Sequence, residues 1–406
     1  MCKSREELVK DAAILGLTLD YEPEIVIPNI FKCGENFWHE SMNDGIGSSS
    51  ASVAIGKSMY KSKEELALEK IYRKSKPIDT DERVKYRLDS GHMQESALLK
   101  WYANILGYEV ALVDSNNPST SEIKDISEIT AEEWKSWDGK GIICVDHARY
   151  RHPLYPYMFT DMDAICILPS REQYVLECKT TDTRDYDWNW KSGVWPNARV
   201  GNPGYIDQAR HHMAVSNMDR CDIIVACDFN ADHNNIITVY RDIDEEKKLI
   251  DEEGKLWNDY ILNGNAPEFT HLKDNSFENI CYTIIPEHVK KEEVTIPEGE
   301  RETISEIFSL EAESKSLKEE AKRIDERINA LKVNLIPILN GCEEGRMEGY
   351  TKGCEIVVSI KPSIRETFDS KRFKIENPEL ALKYIKVSES SPKITVKELK
   401  KKANSW

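Results

Sequence analysis

The chain encodes an α/β core followed by a long helix, and three features predict it. Between Phe37 and Pro267, short apolar runs bounded by turn residues alternate with segments of helical period. Over residues 307–338, apolar side chains recur by three and four for more than four heptads. From Lys361 onward, twelve Lys and Arg stand against six Asp and Glu in a chain whose net charge is −17. Residues 1–36 therefore read as a variable leader, residues 37–270 as the core domain, residues 300–338 as the heptad helix and residues 349–406 as a small basic module.

Composition narrows the class. The 406 residues are 40% apolar and 31% charged, which suits a soluble protein with an ample core. No run approaches the roughly twenty apolar residues a membrane helix needs, and the N-terminus lacks the apolar centre of a signal peptide. The ten cysteines include no Cys-x-x-Cys pair, so they read as reduced core thiols of a cytoplasmic protein rather than zinc or iron–sulfur ligands. The acidic balance argues weakly against indiscriminate nucleic-acid binding. It does not exclude a nuclease, whose metal site itself gathers acids.

The elements follow in order. Gly45 and Gly47 suit a turn, and Ala51, Val53 and Ile55 a short buried helix. Residues 63–73 read as an amphipathic helix. Residues 92–106 read as another, stopped by Gly107 and carrying Glu95 in its first turns. Strands are expected at residues 108–113, 141–145, 158–168 and 173–180. A polar loop over 182–202, with Trp188, Trp190 and Trp195, leads to a helix through Tyr205, Gln208 and Met213. Strands at 222–227 and 236–240 and a helix over 245–262 close the core. The tryptophans suit stacking on unpaired bases or pinning the loop. The serines at 48–52 suit a helix entry or a phosphate contact.

Chemistry concentrates in residues 163–179. Asp163 precedes one apolar run, turn residues follow, and a second run ends in Glu177-Cys178-Lys179. Strand alternation puts Glu177 and Lys179 on one face and Cys178 on the other. A hairpin brings Asp163 beside them. Two carboxylates then suit a divalent cation, with an ammonium where water attacks a phosphodiester. Charge inside apolar runs is costly and needs such a reason; the alternative is a buried structural ion-pair network. Asp161 is a rival on the same strand face, and the Ala164-Ile165 that follows favours Asp163. His147, His152, His211 and His212 suggest a metal, but adjacent His211 and His212 cannot share one helix face, so zinc is not expected.

Six pieces occur in a telling order: Gly45-Ile-Gly-Ser-Ser-Ser; Gly91-x-x-x-Glu95; His152-Pro153 with Asp163-Ala164; Glu177-Cys178-Lys179; Pro203-x-Tyr205-x-x-Gln208; and Arg241-Asp242 before Trp257. Over this span the chain resembles the YqaJ-type viral recombinases, relatives of phage lambda exonuclease in the PD-(D/E)xK nuclease superfamily. The resemblance implies a restriction-endonuclease-like core, a mixed sheet flanked by helices. It makes Glu95, Asp163, Glu177 and the backbone carbonyl of Cys178 the ligands of Mg²⁺ or Mn²⁺, two ions in all. Lys179 would orient and deprotonate the attacking water or stabilise phosphate charge, and Gln208 would tie the site to substrate or to Lys179. Trp38 and Ser49 match residues at the 5′ end of substrate. An arginine expected at Met42 and a serine expected at Asp161 are missing, which puts a 5′-phosphate preference in doubt.

The function implied is a metal-dependent phage or prophage-type exonuclease in the cytoplasm of a bacterial host. It would resect duplex DNA 5′→3′ for a single-strand-annealing protein, as a homo-oligomer that is a ring-like trimer by family analogy. The rivals are a structure-specific or restriction-like endonuclease of the same superfamily and a DNA-binding assembly protein with a relict site.

Overall fold

The computed structural model describes residues 3–58, 60–74, 82–181, 204–227, 235–269, 276–285, 293–349, 355–360 and 368–384. The chain divides into two units, Met1–Val289 and Lys290–Trp406.

In the first unit the N-terminal residues belong to the fold, not to a separate leader. Helix α1 (Arg5–Ile14) starts at a capping box in which Ser4 and Glu7 satisfy each other's backbone amides. It buries Leu8 and Ala12, one turn apart, which pack with Leu17 and Leu19 against Tyr157 and Met158. So few apolar positions give little periodicity to read. Strand β1 (Glu24–Ile27), helix α2 (Glu35–Ser41) and strand β2 (Ile46–Gly47) follow. A Cβ at Gly45 would lie 2.5 Å from the Tyr157 carbonyl oxygen, and one at Gly47 would lie 2.9 Å from the Phe159 ring. The Gly-Ile-Gly sequence thus permits close backbone approach. A 3₁₀ turn (Ser48–Ser50) leads into the short helix α3 (Ala51–Ala54), all of it buried. Ser62 caps α4 (Lys63–Tyr72). Helix α5 (Glu82–Leu106) begins well before His92 and stops at Gly107, whose φ is 68°.

Next come β3 (Glu109–Val110), α6 (Ala131–Ser136), β4 (Ile142–Val145), β5 (Arg149–Arg151), β6 (Met158–Asp161), β7 (Ala164–Ile167) and β8 (Gln173–Thr181). Helix α7 (Gly204–Ser216), β9 (Arg220–Cys227), β10 (Asn235–Tyr240), α8 (Ile243–Lys255), continued by a π-helical turn (Leu256–Ile261), and α9 (Ser276–Ile284) complete the unit. The strands make two mixed sheets. One has four strands in the order β1-β5-β6-β2, and the other has six in the order β10-β9-β8-β7-β4-β3. The run 158–168, expected as one strand, is two strands in different sheets. The chain leaves the smaller sheet at Asp161 and enters the larger at Ala164, so Asp161 and Asp163 do not share a strand face. The expected loop at 182–202 and its tryptophans lie outside the described residues.

Apolar clusters cover the larger sheet. One joins Ile165, Val175 and Ile223 to Ala209 and Met213 of α7; the other joins Leu176, Cys178 and Ile224 to Leu98, Leu99 and Tyr102 of α5. No helix among the described residues is long and apolar enough to cross a membrane.

In the second unit, residues 301–339 form one long helix, α10 (Arg301–Leu339). Pro337 lies in its last turn and Asn340 closes it at φ 48°. A hairpin of β11 (Glu344–Glu348) and β12 (Glu355–Ser359) follows, then two short helices, Ser370–Glu376 and Pro378–Tyr384. Much of the basic module lies outside the described residues.

Candidate active site

The antiparallel β7–β8 hairpin pairs Ala164 with Leu176, which brings Asp163 beside Glu177. Asp163 Oδ2 accepts a hydrogen bond from the Cys178 amide at 2.7 Å. Strand alternation then separates the neighbours of that amide. The Cys178 side chain enters the α5-facing core, while Lys179 Nζ turns back to donate to Glu177 Oε1 at 2.5 Å. Lys179 also lies 5.1 Å over the ring of Tyr205.

Helix α7 supplies two further groups. Gln208 Nε2 donates to Glu177 Oε1 at 2.7 Å, and His212 Nε2 lies 3.1 Å from Glu177 Oε2. The second contact is close but does not complete a hydrogen bond, so both atoms remain buried without one. Gln208 and His212 stand four residues apart, on one helix face. Thr160 Oγ1 backs the imidazole, 2.5 Å from its Nδ1. His212 was not expected at the site; the four-residue spacing from Gln208 was the signal available. Its neighbour His211 contacts Glu253 Oε1 at 2.9 Å and the Phe159 carbonyl oxygen at 3.0 Å. The two histidines do point apart, as their adjacency requires. His152 is buried too, its Nδ1 accepting the amides of Leu154 and Tyr155 at 3.1 and 3.2 Å.

Glu95 projects from α5, half-buried, its Oε1 3.0 Å from His92 Nδ1. A Cβ at Gly91, one turn earlier, would lie 3.6 Å from Thr180 Oγ1, which sets this part of α5 against the end of β8. Desolvation raises the Glu95 pKa; His92 opposes the rise and Glu177 adds to it. Desolvation also pushes Asp163 well above the carboxylate range, with Glu177 and Glu95 adding to it against Lys179. Glu177 goes the other way. Its desolvation is outweighed by Lys179 and then His212, and its pKa falls. Lys179 is desolvated as well, yet Glu177 and Asp163 hold it protonated above the usual lysine value.

These residues fit a hard divalent cation in chemistry and charge. Three carboxylates act on one another and on one ammonium, and carboxylate oxygen is the donor Mg²⁺ and Mn²⁺ take. They do not form a closed shell: among the described residues no three His, Cys, Asp or Glu side chains converge as metal ligands.

A second cluster surrounds the positions where substrate-end residues were missing. Arg149 on β5 pairs with Asp161 on β6 through Nε at 2.7 Å and Nη2 at 2.6 Å. The same guanidinium donates to Ser41 Oγ at 2.6 Å and reaches Met42 Sδ at 3.2 Å. A cation thus stands beside Met42, brought by β5 and paired with Asp161. Lys70 donates to the Met42 carbonyl oxygen, and burial pushes its pKa down to about 8. Trp38 is half-buried with Nε1 unpartnered, and Ser49 is exposed on the 3₁₀ turn that packs against α7.

Comparison with known proteins bears on the family. Residues 37–219 match the family described as YqaJ-like viral recombinase domain. The chain is 23% identical over 259 residues to the "Uncharacterized protein YqaJ" of Bacillus subtilis (strain 168), covering 63% of this chain and 72% of that one. An alkaline exonuclease (LHK-Exo) from Laribacter hongkongensis aligns at a TM-score of 0.38 and 15% identity, over 55% of this chain and 91% of its own. A phage-related exonuclease from Haemophilus somnus 129PT aligns at a TM-score of 0.31 and 15% identity, over 54% and 97%.

Proposed function

We propose that this chain, which carries a YqaJ-like viral recombinase domain over residues 37–219, is a metal-dependent deoxyribonuclease that resects duplex DNA ends. The observation that carries the reading is the convergence of Asp163, Glu177 and Lys179 at the β7–β8 hairpin, with Gln208 and His212 closing on Glu177 from α7. Glu95, Asp163, Glu177 and the Cys178 carbonyl would hold Mg²⁺ or Mn²⁺, two ions in this proposal, supplying a polarised water and charge at the leaving oxygen. Lys179, held protonated, suits donation to a phosphate oxygen better than removal of a proton from water. Gln208 fixes the Glu177 carboxylate, and the Cys178 amide fixes that of Asp163, so neither acid reorients during attack.

The direction is 5′→3′ in this proposal. The product is a 3′ single strand for an annealing protein, and the setting is the cytoplasm of a bacterial host. Duplexes labelled separately at each 5′ and 3′ end, digested with Mg²⁺ and with EDTA, test it beside a covalently closed circle. Early release of 5′-terminal nucleotides from linear DNA alone is expected. Cleavage of the circle would replace the exonuclease with an endonuclease, and cleavage in EDTA would remove the metal.

A further inference from the structure

Within its own unit the seam of α10 is uncovered. Leu317, Ile324, Leu331 and Ile338 keep 57%, 54%, 50% and 74% of their surface exposed, and Leu339 is the helix's one buried residue. The stripe runs about 48 Å at 1.5 Å per residue. An apolar stripe of that extent needs a partner.

Charge identifies the partner. Ile307, Ser314, Ala321, Ile328 and Leu335 take the a positions of the heptad. Leu310, Leu317, Ile324, Leu331 and Ile338 take the d positions. In a parallel pair of identical helices, each g residue faces the e residue five places on. Glu306 would meet Glu311, Glu320 would meet Asp325 and Arg327 would meet Lys332, with Glu313–Lys318 the single attraction. In an antiparallel pair, e faces e and g faces g. With Ala321 opposite Ile324 of the second copy, Glu311 meets Lys332, Lys318 meets Asp325 and Glu320 meets Arg327. Symmetry makes each contact twice.

Register is specified as well. Sliding one heptad one way sets Lys318 against Lys332 and Arg327 against itself. Sliding the other way sets Glu311 against Asp325 and Lys318 against itself. Packing agrees: the antiparallel register puts Ser314 on Leu331 and Ala321 on Ile324, small against large. A parallel pair would stack Ser314 on Ser314 and Ala321 on Ala321, leaving two thin layers. These charges are not used within the helix. Among the described residues, the ion pair formed between Glu302 and Leu339 is Lys322–Glu326, at 3.9 Å.

We propose that α10 pairs with α10 of a second copy of this chain as an antiparallel two-helix coil centred near Lys322. The pairing is independent of the nuclease reading, and it is a different assembly from a threefold ring.

The test is light scattering on the full chain over a concentration series. The expected mass is two chains, falling to one in a Leu317→Asp/Leu331→Asp variant whose circular dichroism shows the first unit still folded. Glu311→Lys then reads orientation. It should weaken the dimer roughly tenfold by meeting Lys332 twice, Lys332→Glu should do the same, and the two together should restore it. In a parallel pair Glu311→Lys would face Glu306 and tighten association, which would overturn the antiparallel arrangement. A one-chain mass for the unsubstituted protein at about 100 μM, a three-chain mass, or an unchanged mass for the Asp variant would overturn the pairing. The last outcome covers both a seam folded onto its own chain and assembly through the first unit.

Discussion

Two buried acids stand on neighbouring strands of the larger sheet, Glu177 on β8 and Asp222 on β9, and the parallel ladder pairs Leu176 with Asp222 and Glu177 with Ile223. Asp222 is closed. Arg220 donates to both its oxygens, at 2.8 and 2.5 Å, and the Tyr102 hydroxyl donates to Oδ2. Arg220 also lies 4.2 Å over the Tyr174 ring. Glu177 is met on both sides, but unevenly: Lys179 and Gln208 share Oε1 as hydrogen-bond donors, while Oε2 has only the His212 imidazole, 3.1 Å away and off hydrogen-bond geometry. A second acid, Asp163, stands next to it with its pKa driven up by burial and by Glu177. A buried carboxylate whose lone pairs are all engaged holds the fold. One that stands beside a second, repelled carboxylate is set up to receive a cation.

Substituting both acids sharpens that contrast most. Glu177→Gln and Lys179→Ala should each cost about 10²-fold or more in cleavage rate while leaving the protein folded. Asp222→Asn should instead cost roughly 2–4 kcal/mol of stability, because Arg220 and Tyr102 lose their charge partner, with cleavage per folded molecule preserved. Initial rates and urea melts on the same preparations decide it. An inactive but stable Asp222→Asn would place both acids in one class. Asp163→Asn should abolish cleavage and yet raise the melting temperature in EDTA by about 2–4 °C, since the folded state no longer carries a repelled carboxylate.

Metal removal comes next. Mg²⁺ or Mn²⁺ added to chelated protein should raise its melting temperature, and Asp163→Asn should blunt the rise, because ligation favours the folded state alone. Ca²⁺ should support DNA binding with little hydrolysis. Equal shifts in both proteins would locate the cation elsewhere.

His152 extends the comparison to a closed basic group. Desolvation, then Arg241 and His211, push its pKa down to about 3. Its Nδ1 accepts two amides between the rings of Tyr21 and Tyr155. A depressed folded pKa means the stability is fully present above about pH 6.5 and is lost as pH falls toward 3. Acid unfolding followed by fluorescence should therefore begin at lower pH in His152→Gln than in the unsubstituted chain. Coincident curves would show that the imidazole does not control the transition.

The smallest effect expected is at Arg149. With its guanidinium held by Asp161, discrimination between 5′-phosphate and 5′-hydroxyl ends should stay below roughly a hundredfold. Asp161→Ser should free the fork and raise the ratio several-fold. An unchanged ratio would mean this guanidinium does not meet the DNA end.

Much of this was legible from residue order. The turn between two apolar runs and the Glu-x-Lys ending placed Asp163, Glu177 and Lys179 together, because strand alternation and a tight hairpin leave little freedom. The heptad spacing fixed α10 for a similar reason: its period is local. What escaped depended on contacts far apart in sequence. The stretch 158–168 is continuously apolar, and nothing in it marks the point where the chain changes sheets. Arg149 carries no local sign that it will reach Met42. His212 stands next to His211 in sequence, but the residue that shares its face is Gln208 one turn back. The first helix escaped because Leu8 and Ala12 alone make too faint a stripe.

The crossing at Met162–Asp163 has a mechanical consequence. Asp161 belongs to the smaller sheet, tethered to Arg149, and Asp163 immediately precedes the larger, tethered to the Cys178 amide. Only Met162 separates these two residues in the chain, so sliding of one sheet past the other at this point would strain the crossing. Any tilt of the smaller sheet, whatever its size at the rim, reaches the Asp163 carboxylate as a small rotation near the crossing. A load taken up at Arg149 would thus be felt by Asp163 as a change of aim.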